Sequence, residues 1–248
     1  MMIHPEETSV ATAGSEIHLD IYHSGDQPVV LYLHPAGCYA GMFQKELSEL
    51  AEAGFTVVAM DLPGHGRNGK RGDFTLLGAA QCVLEIGEWI VEELGVRPGL
   101  FGSSLGGVIG SYALVLDGGR RFPAAVLQSP AGRPEEVRRY SRFPKFFAGL
   151  LGPYRWVEDH LMRPLPAGVR GFLLPLDLGR WKLPIPLFFN PGTGKTEISV
   201  AKIRWALAWA RHPLKTSCYT LHTFASLIDT AISGGLEAIR VPVLILLP

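Results

Sequence analysis

Residues Pro98 to Leu116, PGLFGSSLGGVIGSYALVL, decide how the rest of the chain is read. At their centre Gly102-Ser103-Ser104-Leu105-Gly106 fits G-x-S-x-G, the sharp strand-to-helix turn that thrusts a serine hydroxyl clear of the backbone. Ser104 is the candidate nucleophile. It alone has glycines two residues to either side, where a Cβ would collide with the crossing backbone, whereas Ser103 is flanked at that spacing by Phe101 and Leu105. Leu100-Phe101 reads as the end of a short buried strand, and Leu105 to Leu116, apolar on all sides, as a helix packed inside a sheet-based core. Nineteen uncharged residues also have the length of a membrane span, with Gly106-x-x-x-Gly110 as a helix-pairing motif. Five glycines and three serines argue against it, because they lower helix propensity and hydropathy together. The strand–turn–helix reading accounts for where they fall.

Outward from this stretch the chain alternates strand and helix. Residues 7–22 alternate weakly, as an outer hairpin with Ile17, Leu19 and Ile21 on one face. The apolar run Val29 to Leu33 ends in His34-Pro35-Ala36-Gly37, a buried strand stopped by a turn. A helix follows with Phe43, Leu47 and Leu50 on one face and Gly54 as its terminator. Thr56 to Met60 is the next strand, closed by Asp61-Leu62-Pro63-Gly64-His65-Gly66. From Leu76 to Leu94, Val83, Ile86, Ile90 and Leu94 line one helical face while Gln81, Glu85, Glu88 and Glu92 line another. Ala124 to Leu127 is a further short strand. This order predicts an α/β fold, a mostly parallel sheet with helices on both faces. After Ser129-Pro130 the pattern changes. Residues 133–238 hold no clear strand, several helical stretches and most of the tryptophans, and read as a helical cap inserted after the strand at 124–128. Arg240 to Leu247, RVPVLILL, resumes the buried-strand pattern, giving a core of 1–132, a cap of 133–238 and a resumed core strand in 239–248.

A chain of 248 residues and 27.0 kDa suits one large α/β domain with an insertion. Its net charge of zero offers no field to steer nucleic acid or an anionic membrane, so nucleic-acid binding drops out. Cys38, Cys82 and Cys218 are scattered, odd in number and without metal spacing, which points to reduced thiols inside a cell. Met1 to Thr8 carries two glutamates and no basic-then-apolar pattern, so no signal peptide is read and a cytoplasmic location is expected.

Four blocks in order then resemble the α/β-hydrolase superfamily: His34-Pro35-Ala36-Gly37, Asp61-Leu62-Pro63-Gly64-His65-Gly66-Arg67, Gly102-Ser103-Ser104-Leu105-Gly106-Gly107, and Val241-Pro242-Val243-Leu244-Ile245-Leu246. The charged loop Gly69-Lys70-Arg71-Gly72-Asp73-Phe74 and a cap after Ser129-Pro130 are similar to the monoacylglycerol lipase, lysophospholipase and serine aminopeptidase group. Acyl transfer needs a nucleophile, a base, a group that orients the base, and donors for the oxyanion. Ser104 supplies the first, and the N–H of Leu105, at a helix start where dipole and free donors favour negative charge, is an oxyanion donor. The resemblance implies Ala36 N–H as the second donor, with Gly102, Gly106 and His34 supporting the motif. It implies no cofactor and no metal. Here the chain departs from the usual His-Gly: Pro35 has no N–H and holds His34 extended. The plainer alternative makes His34 to Gly37 a strand-ending turn only.

Gly64-His65-Gly66-Arg67-Asn68-Gly69 also fits G-x-G-x-x-G after a strand. A dinucleotide site needs that motif to open a helix and to find an acid about 20 positions on at a strand end. A charged loop follows instead, and Glu85 and Glu88 fall on an exposed helical face. Gly192-Thr193-Gly194-Lys195-Thr196 is half a phosphate loop, with Phe189 where its first glycine belongs. His65 and Arg67 read as structural parts of their loop.

In the family the acid follows the strand after the cap, and the histidine comes later still. Aligned on that pattern, Leu247 and Pro248 stand just before the acid, Gln128 to Gly132 hold no carboxylate, and none of the other histidines occupies the base position. The expectation is a chain with a nucleophile and no working triad, C-terminally truncated and inactive as given. Phe143, Phe146, Phe147, Leu150, Tyr154, Trp156, Phe172, Trp181, Phe188 and Phe189 make the cap aromatic-rich, either as its own core or as a seat for an acyl chain. Arg138, Arg139, Arg142 and Lys145 among them read as a solvated helix face, with peripheral membrane contact as the alternative. The partner expected is a small ester or lipid-like substrate. Other readings on this fold are a peptidase, a carbon–carbon bond hydrolase and a non-catalytic binding protein.

Overall fold

The computed structural model describes residues 2–25, 28–129, 156, 160, 182–184, 189–190, 195–196, 204, 207, 209–229 and 235–246. Strands β1 (Glu6–Ala11) and β2 (Glu16–Tyr22) form the expected antiparallel hairpin, and Ile17, Leu19 and Ile21 are buried together. The uninterrupted apolar runs become parallel neighbours, β3 (Val29–Leu33) and β4 (Thr56–Met60), as strands covered on both faces do. Between them a short 3-10 turn at Ala40–Phe43 leads into helix α1 (Gln44–Glu52), which stops where Gly54 turns at φ +98.

Helix α2 (Leu76–Leu94) has the bounds its periodicity predicts. Thr75 caps it, its Oγ1 accepting from Gly78 N–H at 3.0 Å, and Gly95 ends it at φ +67. Then come β5 (Gly99–Ser103), α3 (Leu105–Asp117) and β6 (Ala125–Gln128). With β7 (Val243–Leu246) the sheet has, among the described residues, seven strands in the order β1-β2-β4-β3-β5-β6-β7, and the run from β4 to β7 is parallel. Helices α2 and α3 bury Val83, Ile86, Ile90, Ile109 and Ala113 against one face, while α1 covers Tyr32, Val57 and Ala59 on the other. Among the described residues no helix is long and apolar enough to cross a membrane.

Two expectations change. Strand β7 rejoins the sheet beside β6, at the edge among the described residues, but is not buried: Leu244 is 56 % and Ile245 53 % exposed. Within 133–238, Lys182–Pro184 pairs with Cys218–Thr220 and Phe189–Asn190 with Lys195–Thr196, strands too short to leave a periodic signature. Part of that segment is core: Tyr219 and, on helix α4 (Leu221–Asp229), Leu221 and Phe224 pack with the residues of α2. The Thr223 hydroxyl accepts from Phe74 N–H at 2.9 Å, and Ser226 Oγ from Leu76 N–H at 2.7 Å. The cap aromatics lie outside the described residues, apart from Trp156, which is exposed, and Phe189 in its short strand; the basic residues 138–145 lie outside as well.

Candidate functional site

Strands β3 and β5 run side by side, with Leu33 opposite Gly102, so the turns that follow them emerge at one end of the sheet. That is where open α/β sheets present their ligand sites. After β5 the chain reverses at Ser104, whose φ of 51 and ψ of −112 lie outside the regions L-residues ordinarily occupy. Neighbours hold it there: Ser104 N–H donates to Gln128 O on β6 at 2.8 Å, and Ser104 O accepts from Val108 N–H at 3.1 Å. The two flanking glycines are required by space. A Cβ on Gly102 would stand 2.5 Å from Gly106 O, and one on Gly106 would stand 2.6 Å from the carbonyl carbon of Leu33. Ser104 itself is partly exposed, and the N–H of Leu105 opens the buried helix α3. Such a start favours negative charge.

The turn after β3 is held at the groups on either side of Ala36. His34 is fully buried; its Nε2 accepts from Leu62 N–H at 2.9 Å, so Nδ1 carries the proton and donates to Pro35 O at 2.8 Å. Cys38 N–H donates to the same carbonyl at 3.3 Å. That carbonyl shares a trans peptide with Ala36 N–H, which therefore points the opposite way. The Pro35 substitution thus leaves the following N–H oriented. Burial lowers the His34 pKa, partly offset by the charge of Asp61, and burial of the Cys38 thiol pushes its pKa up to about 12. Cys38, Cys82 and Cys218 are all free thiols.

Beneath these turns lies the Asp61 loop. Asp61 accepts from Ala40 N–H at 2.7 Å and from Arg67 N–H and Nε at 2.9 and 3.0 Å, while Arg67 Nη2 reaches the buried Asp20 at 2.8 Å. Burial alone would raise the Asp61 pKa; the Arg67 hydrogen bonds outweigh it and leave the carboxyl below its usual range. Glu7, His18 and Asp20 bring ligand-type atoms together, but Arg67 already supplies their cation, 3.5 Å from Glu7. His65 donates from Nδ1 to Pro63 O at 3.0 Å, and burial, with the neighbouring His34, lowers its pKa to about 3. The glycines of this loop are closely packed, Gly64 by Asp73 and Phe74 and Gly66 by Asp61 and Tyr39, and no helix opens until Leu76.

A mostly parallel sheet with helices on both faces and a strained serine turn between β5 and α3 defines the class, an α/β hydrolase. The chain belongs to the family described as serine aminopeptidase S33, whose model matches residues 25–247. No curated protein matches the sequence. Among solved structures it is similar to DcsB in complex with its substrate analogue, at 19 % identity and a TM-score of 0.70 over 97 % of this chain and 79 % of that one. A monoacylglycerol lipase of Paleococcus ferrophilus aligns at 23 % identity and a TM-score of 0.61, covering 93 % of this chain and 77 % of the lipase. A thermostable carboxyl esterase of Bacillus coagulans in complex with glycerol aligns at 17 % and 0.65, covering 97 % and 78 %.

Ser104, Leu105 and Ala36 thus stand on turns at the same end of adjacent strands, with Gly102, Gly106 and His34 shaping those turns. Sequence reasoning missed Asp20, Trp209, Thr216 and Tyr219. Asp20 sits on the polar-looking face of a hairpin, and the other three touch the site region from about 170–180 positions away. No local pattern marks them.

Proposed function

We propose that the protein is a serine hydrolase of carboxylic esters, lipid-like esters included, working through an acyl-enzyme on Ser104. The observation that carries this reading is the backbone of Ser104, held at positive φ between a parallel strand and a buried helix. Strain of this kind costs about 1–3 kcal/mol and persists where surrounding structure over-determines it. In the reaction, Ser104 Oγ adds to the ester carbonyl carbon while its proton passes to a base. The oxyanion accepts from Leu105 and Ala36 N–H, each donor contributing about 3–4 kcal/mol to the transition state. Collapse expels the alcohol, which takes the proton, and water repeats the sequence to release the acid.

The lipase and esterase among the structural neighbours support an ester substrate. The family's description supports a second reading, a peptidase, in which an amine leaves instead of an alcohol. A fluorophosphonate probe should label the protein at Ser104, and Ser104→Ala should remove the label; labelling that survives the substitution refutes the reading. Turnover of medium-chain p-nitrophenyl esters against aminoacyl-naphthylamides separates esterase from peptidase. Absence of labelling and of turnover leaves a non-catalytic binding protein.

A further inference from the structure

Gly37 follows Ala36, and both of its peptide groups are gripped from the far end of the sequence. Its N–H donates to Tyr219 Oη at 3.2 Å, and its carbonyl accepts from Trp209 Nε1–H at 2.9 Å and Thr216 N–H at 3.0 Å. The fit is tight, since a Cβ on Gly37, which turns at φ +74, would meet Thr216 O at 2.9 Å. The Tyr219 hydroxyl lies 2.8 Å from His65 Nε2. Because His65 Nδ1 faces a carbonyl, which can only accept, Nδ1 holds the proton and Nε2 accepts from Tyr219. Tyr219 therefore donates to His65 and turns a lone pair to Gly37 N–H. Tyr219 is 2 % exposed and His65 fully buried, so no water competes for either position.

Ala36 sits between two peptide planes. The plane before it is held at Pro35 O by His34 and Cys38, and the plane after it at Gly37 N–H by Tyr219. The Ala36 N–H lies in the first of these planes, and fixing the second as well removes the Ala36 φ and ψ rotations through which the first could tilt. We propose that Tyr219 is a positioning residue for catalysis: through Gly37 it aims the Ala36 N–H at the developing oxyanion, with Trp209 bracing the same glycine from its carbonyl side. This rests on the reading of Ser104 as nucleophile and Ala36 as donor. It adds that a segment some 180 residues downstream sets the geometry of the oxyanion site.

The test compares the wild-type protein with Tyr219→Phe, which keeps the ring and removes only the hydroxyl, and with Trp209→Phe, which removes the indole donor together with part of the ring. Fluorophosphonate labelling rates and ester kinetics are measured well below each variant's melting temperature. Misaiming a donor without deleting it should slow labelling and lower kcat on the order of ten- to a hundredfold, leaving KM within about twofold. A role confined to stability lowers the melting temperature and leaves kcat and labelling where they were. Folded variants that label within twofold of wild type, or whose loss falls on KM alone, overturn the proposal. A wild-type protein that no probe labels at Ser104 overturns instead the reading on which it rests. Should Tyr219→Phe fail to fold, Trp209→Phe carries the same comparison.

Discussion

Replacing Arg67 by Met keeps much of the side-chain volume and removes the cation shared by Asp61 and Asp20. The Asp61 side chain is fully buried and that of Asp20 2 % exposed, so neither carboxylate can turn to water for compensation. Removing one partner of a buried pair costs about 3–5 kcal/mol, because the remaining charge is stranded. Asp61 would keep the backbone donors Ala40 N–H and the N–H of residue 67, which places the cost toward the lower end of that range. With a urea dependence of about 3 kcal/mol/M, the unfolding midpoint should fall by roughly 1–1.7 M. The assay is urea unfolding followed by tryptophan fluorescence at pH 7.5 and pH 5. In the wild type the Asp61 pKa is depressed, so its contribution is present above the unfolded value and is lost only as pH falls below about 4. In the variant, burial without the cation raises that pKa. Each pH unit over which Asp61 is protonated in the fold but ionised in the unfolded chain then costs about 1.4 kcal/mol. The difference between variant and wild type should therefore shrink at pH 5, and Asp61→Asn added to Arg67→Met should recover part of it. A midpoint shift below about 0.3 M, or one of equal size at both pH values, refutes the argument.

Gly106→Ala should destabilise by about 1–3 kcal/mol or more and slow labelling of Ser104, because its methyl meets the backbone of β3; Gly69→Ala, with nothing within 4 Å, should be neutral by the same melting measurement. His34 and His65 are held neutral by burial, so protons bind the unfolded chain first as pH falls below about 6.5. Their stability contribution is complete above that value and declines toward about pH 3 for His65, at about 1.4 kcal/mol per pH unit for each histidine. His65→Gln should remove one histidine's share of that slope between pH 6.5 and 5 in urea midpoints; an unchanged slope sinks the assignment.

What the sequence disclosed was whatever local repetition encodes. Helix α2 follows from the spacing of Val83, Ile86 and Ile90, β3 and β4 from unbroken apolar runs, and the Ser104 turn from two glycines at fixed offsets. The structural reading of Arg67 came from the family resemblance of its loop. Asp20 was not, because a buried carboxylate on a hairpin looks like a solvated one until its arginine is seen. Nor was the orientation of Ala36 N–H, which depends on which nitrogen of His34 carries the proton, itself settled by Leu62. The exposure of β7 escaped because VLIL reads alike at the centre and the edge of a sheet, and the hold on Gly37 because contacts across 170–180 residues leave no period.

The hold on Gly37 also imposes an order on synthesis. The contacts described around the Ser104 turn, to the Gln128 and Leu33 carbonyls, lie within the first 129 residues and are made before the distal segment is synthesised. The clasp on Gly37 needs Trp209, Thr216 and Tyr219, which at about 5–20 residues per second leave the ribosome roughly 4–18 seconds later. During that interval a nascent chain carries its serine turn beside a loop whose Gly37 N–H and C=O have yet to meet their partners. On the function proposed for Ser104, its turn is complete before the distal segment frames the loop beside it, and a chain released early would hold the turn without that frame.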